Sequence, residues 1–172
     1  DNLSGIGCDS LVDTPEQRAD QADSGAGGTV VGNYCTWNPL NKASSISTSD
    51  GNLKAQLGSN GHVMITGTMG MTSGKYYWEV VTDGWNTSNQ GPMVGVVGDT
   101  HDISTQAGGS PTALYRAEGK VFVNNSTAAS GLTTYTAGDL IGVALDLDNK
   151  SITWYKNGSQ VYQYTSLDST VN

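Results

Sequence analysis

From residue 33 onward, short segments rich in Val, Ile, Thr, Tyr and Trp alternate with clusters of Gly, Asn and Asp. This period-2 pattern predicts β-strands joined by turns. The clearest segment is 74–82, where aromatic residues fall in both alternating sets, so the pattern predicts a central strand covered on both faces. The alternating sets are Tyr76, Trp78 and Val80 on one side and Tyr77, Glu79 and Val81 on the other. The predicted strands are 34–37, 52–57, 62–68, 74–82, 93–98, 112–116, 120–123, 140–147, 151–156 and 160–165.

The segments between the strands carry recognisable turn chemistry. Lys156-Asn-Gly-Ser159 contains the Asn-Gly pair that a type I′ hairpin favours, because both central residues need positive φ. Asp148-Asn-Lys150 and Ser49-Asp-Gly-Asn52 predict two further tight turns. Many strands joined by short turns predict an all-β fold, an antiparallel sandwich or barrel, and no segment sustains a helical period over eleven or more residues.

Residues 1–32 differ in composition from the rest of the chain. They are rich in Asp, Gly, Ala and Gln and end near the run Ser24-Gly-Ala-Gly-Gly28, so they predict an irregular N-terminal arm or linker ahead of a module at 33–172. The arm holds six acidic residues and one base, Arg18, and so carries −5 of the net charge of −8. Because the chain does not begin with Met, we interpret it as a processed product or a piece of a longer protein.

Charge and composition exclude several classes of protein. With 8 Lys+Arg against 16 Asp+Glu, the chain lacks the basic surface that binds nucleic acid. No apolar run approaches the roughly 18 residues that span a bilayer, so we expect no membrane insertion. The two cysteines, Cys8 and Cys35, are too few for a disulfide framework. They either pair or remain reduced, and we favour reduced thiols with Cys35 packed in a strand.

The acidic residues do not form a recognisable catalytic or metal-binding pattern. A glycosidase needs two carboxylates at a set spacing, but the chain has 13 Asp and only 3 Glu, of which Glu79 alone lies within a strand. Asp146 and Asp148 fall in a predicted hairpin, where we expect them to serve the turn. The loop containing Asp99 and Asp102 is rich in oxygen ligands that suit Ca²⁺, but its spacing fits no metal motif. We therefore expect no enzyme, no metal and no cofactor.

Two long polar loops, 83–92 and 99–111, are the candidate binding regions, since long loops on a β scaffold tend to carry function. Trp85 lies in the first loop and either caps the core or offers a ring face to a ligand. We expect the other tryptophans, Trp37, Trp78 and Trp154, to pack in the core. The candidate ligand-binding residues are Trp85, Asn86, Asn89, His101 and Asp102.

Four motifs in order resemble the SPRY domain family. They are Ser73-Gly-Lys-Tyr-Tyr-Trp-Glu-Val80, Val94-Gly-Val-Val-Gly98, the segment Ala137–Asp148 with its Gly-Asp and Leu-Asp pairs, and Ile152-Thr-Trp-Tyr-Lys-Asn-Gly158. The resemblance spans about residues 62–165. It implies a bent antiparallel β-sandwich of the concanavalin A-like type, used to bind partners with the loops at one end.

The lead-in is similar to that of SPRY domains on structural proteins of tailed phages. The matching residues are Asp9–Pro15, Gly32-Asn-Tyr-Cys-Thr-Trp-Asn-Pro-Leu40 and Leu53, with Cys35 and Trp37 as mild departures. This resemblance implies a virion protein, assembled in the host cytoplasm, that forms a homo-oligomer and contacts other virion subunits. We expect a tail fibre or spike module that binds a host-surface glycan or protein. The alternatives are a purely structural head-decoration or fibre-interaction domain and a polysaccharide depolymerase.

Overall fold

A computed structural model describes residues 34–58, 63–85, 91–99, 101, 103 and 111–167. The chain divides into two compact units, 1–36 and 37–172. In the first unit only residues 34–36 are described, and both Tyr34 and Cys35 are exposed. The expectation that Cys35 packs in a strand is wrong, because its free thiol precedes the first strand and lies in solvent. Cys8 lies outside the described residues.

The described part of the second unit contains β-strands and turns and no helix. The strands are β1 (Trp37–Lys42), β2 (Ile46–Ser49), β3 (Lys54–Leu57), β4 (Ile65–Gly67), β5 (Lys75–Val81), β6 (Met93–Val97), β7 (Thr112–Arg116), β8 (Lys120–Val123), β9 (Ser126–Ala129), β10 (Leu140–Asp146), β11 (Ser151–Lys156) and β12 (Ser159–Tyr164).

Two antiparallel four-stranded sheets form the sandwich. One has the order β12-β11-β10-β5 and the other the order β6-β7-β8-β9. Two smaller two-stranded sheets, β1-β4 and β2-β3, complete the described strands. The prediction of an all-β antiparallel sandwich is confirmed.

The core lies between the two four-stranded sheets. Paired residues share a face, and in the first sheet Trp78, Val143 and Trp154 lie opposite one another across β5, β10 and β11. The buried residues of the core are Val94, Ala113, Tyr115, Ala117, Val121, Val123, Tyr135, Ile141, Val143, Leu145, Ile152, Trp154 and Leu167.

Trp154 joins the two sheets. It is fully buried, and its indole Nε1 donates a hydrogen bond of 2.9 Å to the backbone oxygen of Val94 in the other sheet. Its ring also contacts Tyr115 with centroids 6.4 Å apart. The expected core position of Trp154 is therefore confirmed, and Trp78 packs against the same core. Trp37 is half-buried in β1 and does not belong to the core cluster.

The predicted turns are present. Asn157 and Gly158 have φ of 49° and 81°, as a type I′ turn requires, and Lys156 pairs with Ser159 on either side. Asp50, Gly51 and Asn52 also have positive φ and reverse the chain between β2 and β3.

The position of β5 differs from the expectation. It pairs with β10 and lies at the edge of its sheet as far as the described residues go, rather than at the centre. Tyr76, Trp78 and Val80 face the core, but Tyr77 and Val81 on the other side are 56% and 58% exposed. Tyr77 and Val81 on the second side of β5 therefore form surface and not a second core.

Candidate functional site

Trp85 sits where the chain leaves β5, at a point that hydrogen bonds fix firmly. The buried Thr82 donates its backbone N–H to the Asp139 oxygen over 3.2 Å and its hydroxyl to the Thr136 oxygen over 2.8 Å. Gly138 donates in return to the Thr82 oxygen at 2.7 Å. These bonds tie the segment before Trp85 to the segment before β10, and they fix the backbone from which the Trp85 side chain extends.

Trp85 is half-buried against the core. Its ring meets Tyr135 edge to face, with centroids 6.0 Å apart and an interplanar angle of 73°. Gly91 has φ of 81°, and a Cβ there would lie 2.9 Å from the Trp85 ring and 2.5 Å from Ala117 Cβ. The glycine therefore lets the backbone before β6 lie against the indole. Trp85 therefore caps the core, which is one of the two roles that the sequence allowed. Its role in binding stays a prediction.

Two buried tyrosines form the floor beneath Trp85. The Tyr135 hydroxyl lies 2.6 Å from the Pro92 oxygen and 3.1 Å from the Tyr115 oxygen, and these two backbone acceptors share its single proton. The Tyr115 hydroxyl donates to the Thr133 oxygen. Burial raises the pKa of Tyr115 to about 12 and raises that of Tyr135 further, so both phenols remain neutral donors. They act as structural anchors.

The two predicted binding loops lie at opposite ends of β6. Gly91, beside Trp85, precedes β6, whereas His101 follows it and donates its backbone N–H to the Gly98 oxygen over 3.1 Å. At a rise of about 3.3 Å per residue, the seven steps from Gly91 to Gly98 span about 23 Å. Trp85 and His101 are therefore not brought together around one small ligand. Asn86, Asn89 and Asp102 lie outside the described residues.

His101 is half-buried, and its Nε2 is buried without a hydrogen-bond partner among the described residues. In the same described part of the chain, no group of three or more His, Cys, Asp or Glu residues is placed to hold a metal ion. No helix there is long and apolar enough to cross a membrane.

The Gly-Asp and Lys-Asn-Gly motifs are joined by hydrogen bonds and an ion pair. Asp139 accepts hydrogen bonds from the Thr136 backbone at 2.7 Å and from Asn157 Nδ2 at 2.8 Å, and its Oδ2 lies 3.0 Å from Lys156 Nζ. Asn157 Oδ1 in turn accepts the Leu140 backbone N–H at 2.9 Å. The backbone hydrogen bond from Thr136, helped by Asn157 and Lys156, lowers the pKa of Asp139. These motif residues lock the start of β10 to the β11–β12 turn.

The two Leu-Asp pairs at the end of β10 and just after it also have a structural role, as the sequence predicts. Asp146 accepts hydrogen bonds from the Asn149 backbone at 3.0 Å and from its side chain at 2.8 Å, and it pairs with Lys75 at 3.0 Å. Asp148 Oδ1 accepts the Gly74 backbone N–H at 2.9 Å, which fixes the start of β5. Hydrogen bonds from Asn149, with a contribution from Lys75, hold the pKa of Asp146 at about 2.

This depressed pKa predicts a loss of stability in acid. The unfolded-state pKa of an Asp is about 3.9, so the charged Asp146 stabilises the fold above about pH 4, and this contribution disappears as the pH falls towards 2. We expect Asp146→Asn to lower the thermal unfolding midpoint at pH 7 and to flatten its decline between pH 5 and pH 2. Calorimetry across this range measures both effects. Asp50→Asn, which neutralises an exposed turn carboxylate, is the control, and an unchanged slope in Asp146→Asn would contradict the assignment.

The outer face of the first sheet carries an exposed group that the sequence reading did not select. The Tyr77 hydroxyl donates to Glu79 Oε1 at 2.8 Å, and this hydrogen bond raises the pKa of Tyr77. Its ring meets Tyr155 of β11 with centroids 6.5 Å apart at 69°. The signal was present as the alternating set Tyr77, Glu79 and Val81, but the sequence pattern alone did not show which set faces solvent.

A shallow groove of about 290 Å³ opens beside the β11–β12 turn. It is lined by Thr133, Lys156, Asn157, Ser159, Gln160 and Val161. Lys156 donates to the Thr134 oxygen at 2.9 Å and is paired with Asp139, so its charge is compensated within the fold. The groove therefore presents mainly hydroxyl and amide groups, together with the apolar Val161.

The fold and its surface define a class: an antiparallel β-sandwich whose motif residues hold turns, with a half-buried tryptophan after β5 and an exposed tyrosine on one sheet face. The SPRY domain family profile matches residues 75–170, more than half of the chain. The chain belongs to the SPRY domain family. SPRY domains are interaction modules, which supports a binding role.

Solved structures show the same fold. The SPRY domain of human HERC1 is 27% identical with a TM-score of 0.65, and the match covers 78% of this chain and 84% of that one. The TRIM65 PSpry domain is 17% identical with a TM-score of 0.60, covering 78% and 80%. Stonustoxin is 18% identical with a TM-score of 0.56, and the match covers 80% of this chain but only 24% of the toxin chain. The last two likenesses show the fold alone.

Proposed function

We propose that this chain is a non-catalytic binding module. The observation that carries the proposal is the structural role of the motif carboxylates. Asp139, Asp146 and Asp148 each accept a backbone N–H hydrogen bond that holds a turn or the start of a strand. Because these carboxylates accept hydrogen bonds that hold the backbone, we assign them a structural role and not that of a catalytic acid or base. Membership of a family of interaction modules supports the same role.

The finer proposal is a module of a tailed-phage virion, on a tail fibre or spike, that contacts a host-surface glycan or protein. Its support is the lead-in sequence alone, chiefly Asp9–Pro15 and Gly32–Leu40. In this proposal the chain is assembled in the host cytoplasm, forms a homo-oligomer in the particle and contacts other virion subunits. Immunogold labelling of particles with antibody to this chain is the test, and labelling confined to the head would overturn the tail assignment.

Trp85 is the residue proposed to contact the host surface. We expect Trp85→Ala to weaken binding of the labelled chain to host cells or a glycan array by at least about tenfold, because tryptophans dominate many interfaces and part of the Trp85 side chain remains accessible. Since Trp85 also packs on Tyr135, the unfolding midpoint must be measured for the same variant. Trp85→Phe, which keeps a ring against Tyr135, is the matched control. Equal binding by wild type and Trp85→Ala would remove Trp85 from the proposal.

The non-catalytic part of the proposal has its own test. The chain is incubated with host polysaccharide, and reducing ends are measured over time. We expect no release above the rate without protein. Release that Glu79→Gln abolishes would establish a depolymerase and overturn the proposal.

A further inference from the structure

The outer face of the first sheet presents a compact group of side chains that we call the tyrosine face: Tyr77, Glu79, Tyr155 and Gln160. The register brings them together, because Glu79 lies opposite Gly142, Gly142 opposite Tyr155, and Tyr155 opposite Gln160. Tyr77 and Glu79 are two residues apart on β5 and so share the same side. The face is built on paired strands and not on loops.

Gly142 explains how the Tyr77 ring lies. A Cβ at Gly142 would come within 2.5 Å of the Tyr77 hydroxyl oxygen and within 3.1 Å of the adjacent ring carbon. The glycine therefore makes room for the ring to extend across β10 and reach Glu79. Because 56% of Tyr77 remains exposed, its ring is available to a partner.

The charge of Glu79 is the distinctive property of the tyrosine face. Lys75, on the same side of β5, is already paired with Asp146, and Lys156, next to Tyr155, is paired with Asp139. Within the described part of the chain, the contact of Glu79 is the neutral Tyr77 hydroxyl, and no ion pair compensates its charge. The face thus combines an uncompensated carboxylate with an exposed aromatic ring, in a chain of net charge −8.

We propose that the tyrosine face binds a cationic side chain, Arg or Lys, of a polypeptide partner. A cation over the Tyr77 ring gains a cation–π interaction, and Glu79 lies within 2.8 Å of that ring's own hydroxyl, so the same cation meets the carboxylate. The Gln160 amide, exposed across β11, supplies a further acceptor for a guanidinium. This inference deepens the proposed binding function, on which it rests, by naming a second site and its partner class.

Charge complementarity favours this partner over a neutral saccharide. A sugar could stack on Tyr77, but it would leave the Glu79 charge uncompensated, whereas a guanidinium satisfies the ring and the carboxylate together. Electrostatic attraction to the acidic chain would also steer a basic segment towards the face, and salt would weaken that attraction.

The test uses the whole chain and two small probes of the same shape. N-acetyl-arginine amide carries the guanidinium, and N-acetyl-citrulline amide is its neutral counterpart. Each is titrated into isotope-labelled protein while the resonances of Tyr77, Glu79 and Tyr155 are followed by NMR. We expect the arginine probe to bind about three- to tenfold more tightly than the citrulline probe, with the preference shrinking at high salt.

Two variants test the geometry. Glu79→Gln keeps the shape and removes the charge, so the ratio between the probes should fall to about one. Gly142→Ala should displace only the far end of Tyr77, since the atoms nearest the added methyl all belong to that side chain. It should weaken binding of the arginine probe while leaving the unfolding midpoint close to that of wild type. Asp50→Asn, which removes one negative charge elsewhere, is the control and should keep the preference for arginine.

The outcomes separate this inference from the proposed function. Equal binding of both probes, or an arginine preference that survives Glu79→Gln, overturns the inference. Shifts at Tyr77 caused equally by a neutral saccharide in wild type and Glu79→Gln also overturn it, because recognition would then not depend on charge. In each of these cases binding of the chain to host cells, measured separately, still decides the proposed function.

Discussion

Trp154→Ala is expected to lower the free energy of unfolding by about 3–5 kcal/mol. The side chain is fully buried and packs between the two four-stranded sheets, so its removal leaves a cavity that neighbouring side chains can fill only in part. The variant also removes the indole donor and leaves the Val94 oxygen without that bond. Urea unfolding followed by far-ultraviolet circular dichroism gives the change directly.

The matched control for this variant is Trp37→Ala. Trp37 has the same side chain but is half-buried in β1 and lies outside the core cluster. Trp37→Ala should therefore lower the free energy of unfolding clearly less than Trp154→Ala does. If Trp154→Ala expresses only as an unfolded chain, Trp154→Phe provides a milder step in the same direction. Similar losses for Trp37→Ala and Trp154→Ala would contradict the central place given to Trp154.

Gly95→Ala is expected to lower the free energy of unfolding by about 2–3 kcal/mol or more, although it adds only one methyl group. Gly95 lies opposite Leu114 in the β6–β7 pair, and a Cβ at this position would come within 2.0 Å of the Ala113 backbone oxygen. Because that atom belongs to a paired strand, it cannot move aside without disturbing the β6–β7 ladder. The unfolding midpoint in urea should therefore fall sharply.

Gly70→Ala is the control for Gly95→Ala. A Cβ at Gly70 meets no atom within 4 Å, and its φ lies outside the left-handed region, so the substitution should be nearly neutral or slightly stabilising. Equal midpoints for the two alanine variants would show that the β6–β7 pair tolerates added bulk at Gly95, and would contradict the close approach of Gly95 to Ala113.

The strands with alternating apolar residues were predictable, and those held by pairing alone were not. β9 reads Ser-Thr-Ala-Ala and has no alternation, yet it pairs with β8 through a turn at Asn124 and Asn125, whose φ values are 49° and 63°. An Asn-Asn pair can occupy this conformation, but it is a weaker sequence signal than Asn-Gly. The stretch 124–134, which lies outside every predicted strand, therefore contains a strand.

The sequence prediction placed β1 too early in the chain and did not find β2, for related reasons. Pro39 interrupts β1, and a proline normally demotes a strand assignment. The register of β1 against β4 shifts between Trp37 and Lys42, and this bulge accommodates the proline and leaves Leu40 94% exposed. β2, with the sequence Ile-Ser-Thr-Ser, buries only Ile46, so it offered too little pattern to detect.

The candidate site was predictable only in part. Sequence reasoning selected Trp85 from the contrast between one indole and its polar loop. Loops 83–92 and 99–111 flank the predicted strand 93–98, so the sequence already implied that they leave opposite ends of one strand. The outer side of β5 was not predictable in this way: a period of two tells which residues of β5 share a side, but only the topology decides that Tyr77 and Glu79 face solvent.

The hydrogen bonds at the two ends of β10 differ greatly in the length of chain that they close. The Asp139–Asn157 bond joins residues 18 positions apart, whereas the Gly74–Asp148 bond joins residues 74 positions apart. Closing a longer loop costs more chain entropy, and contacts that are local in sequence form faster. We therefore expect the β10–β11–β12 meander to assemble early in folding, and β5, with the tyrosine and glutamate of its outer side, to join the sheet later.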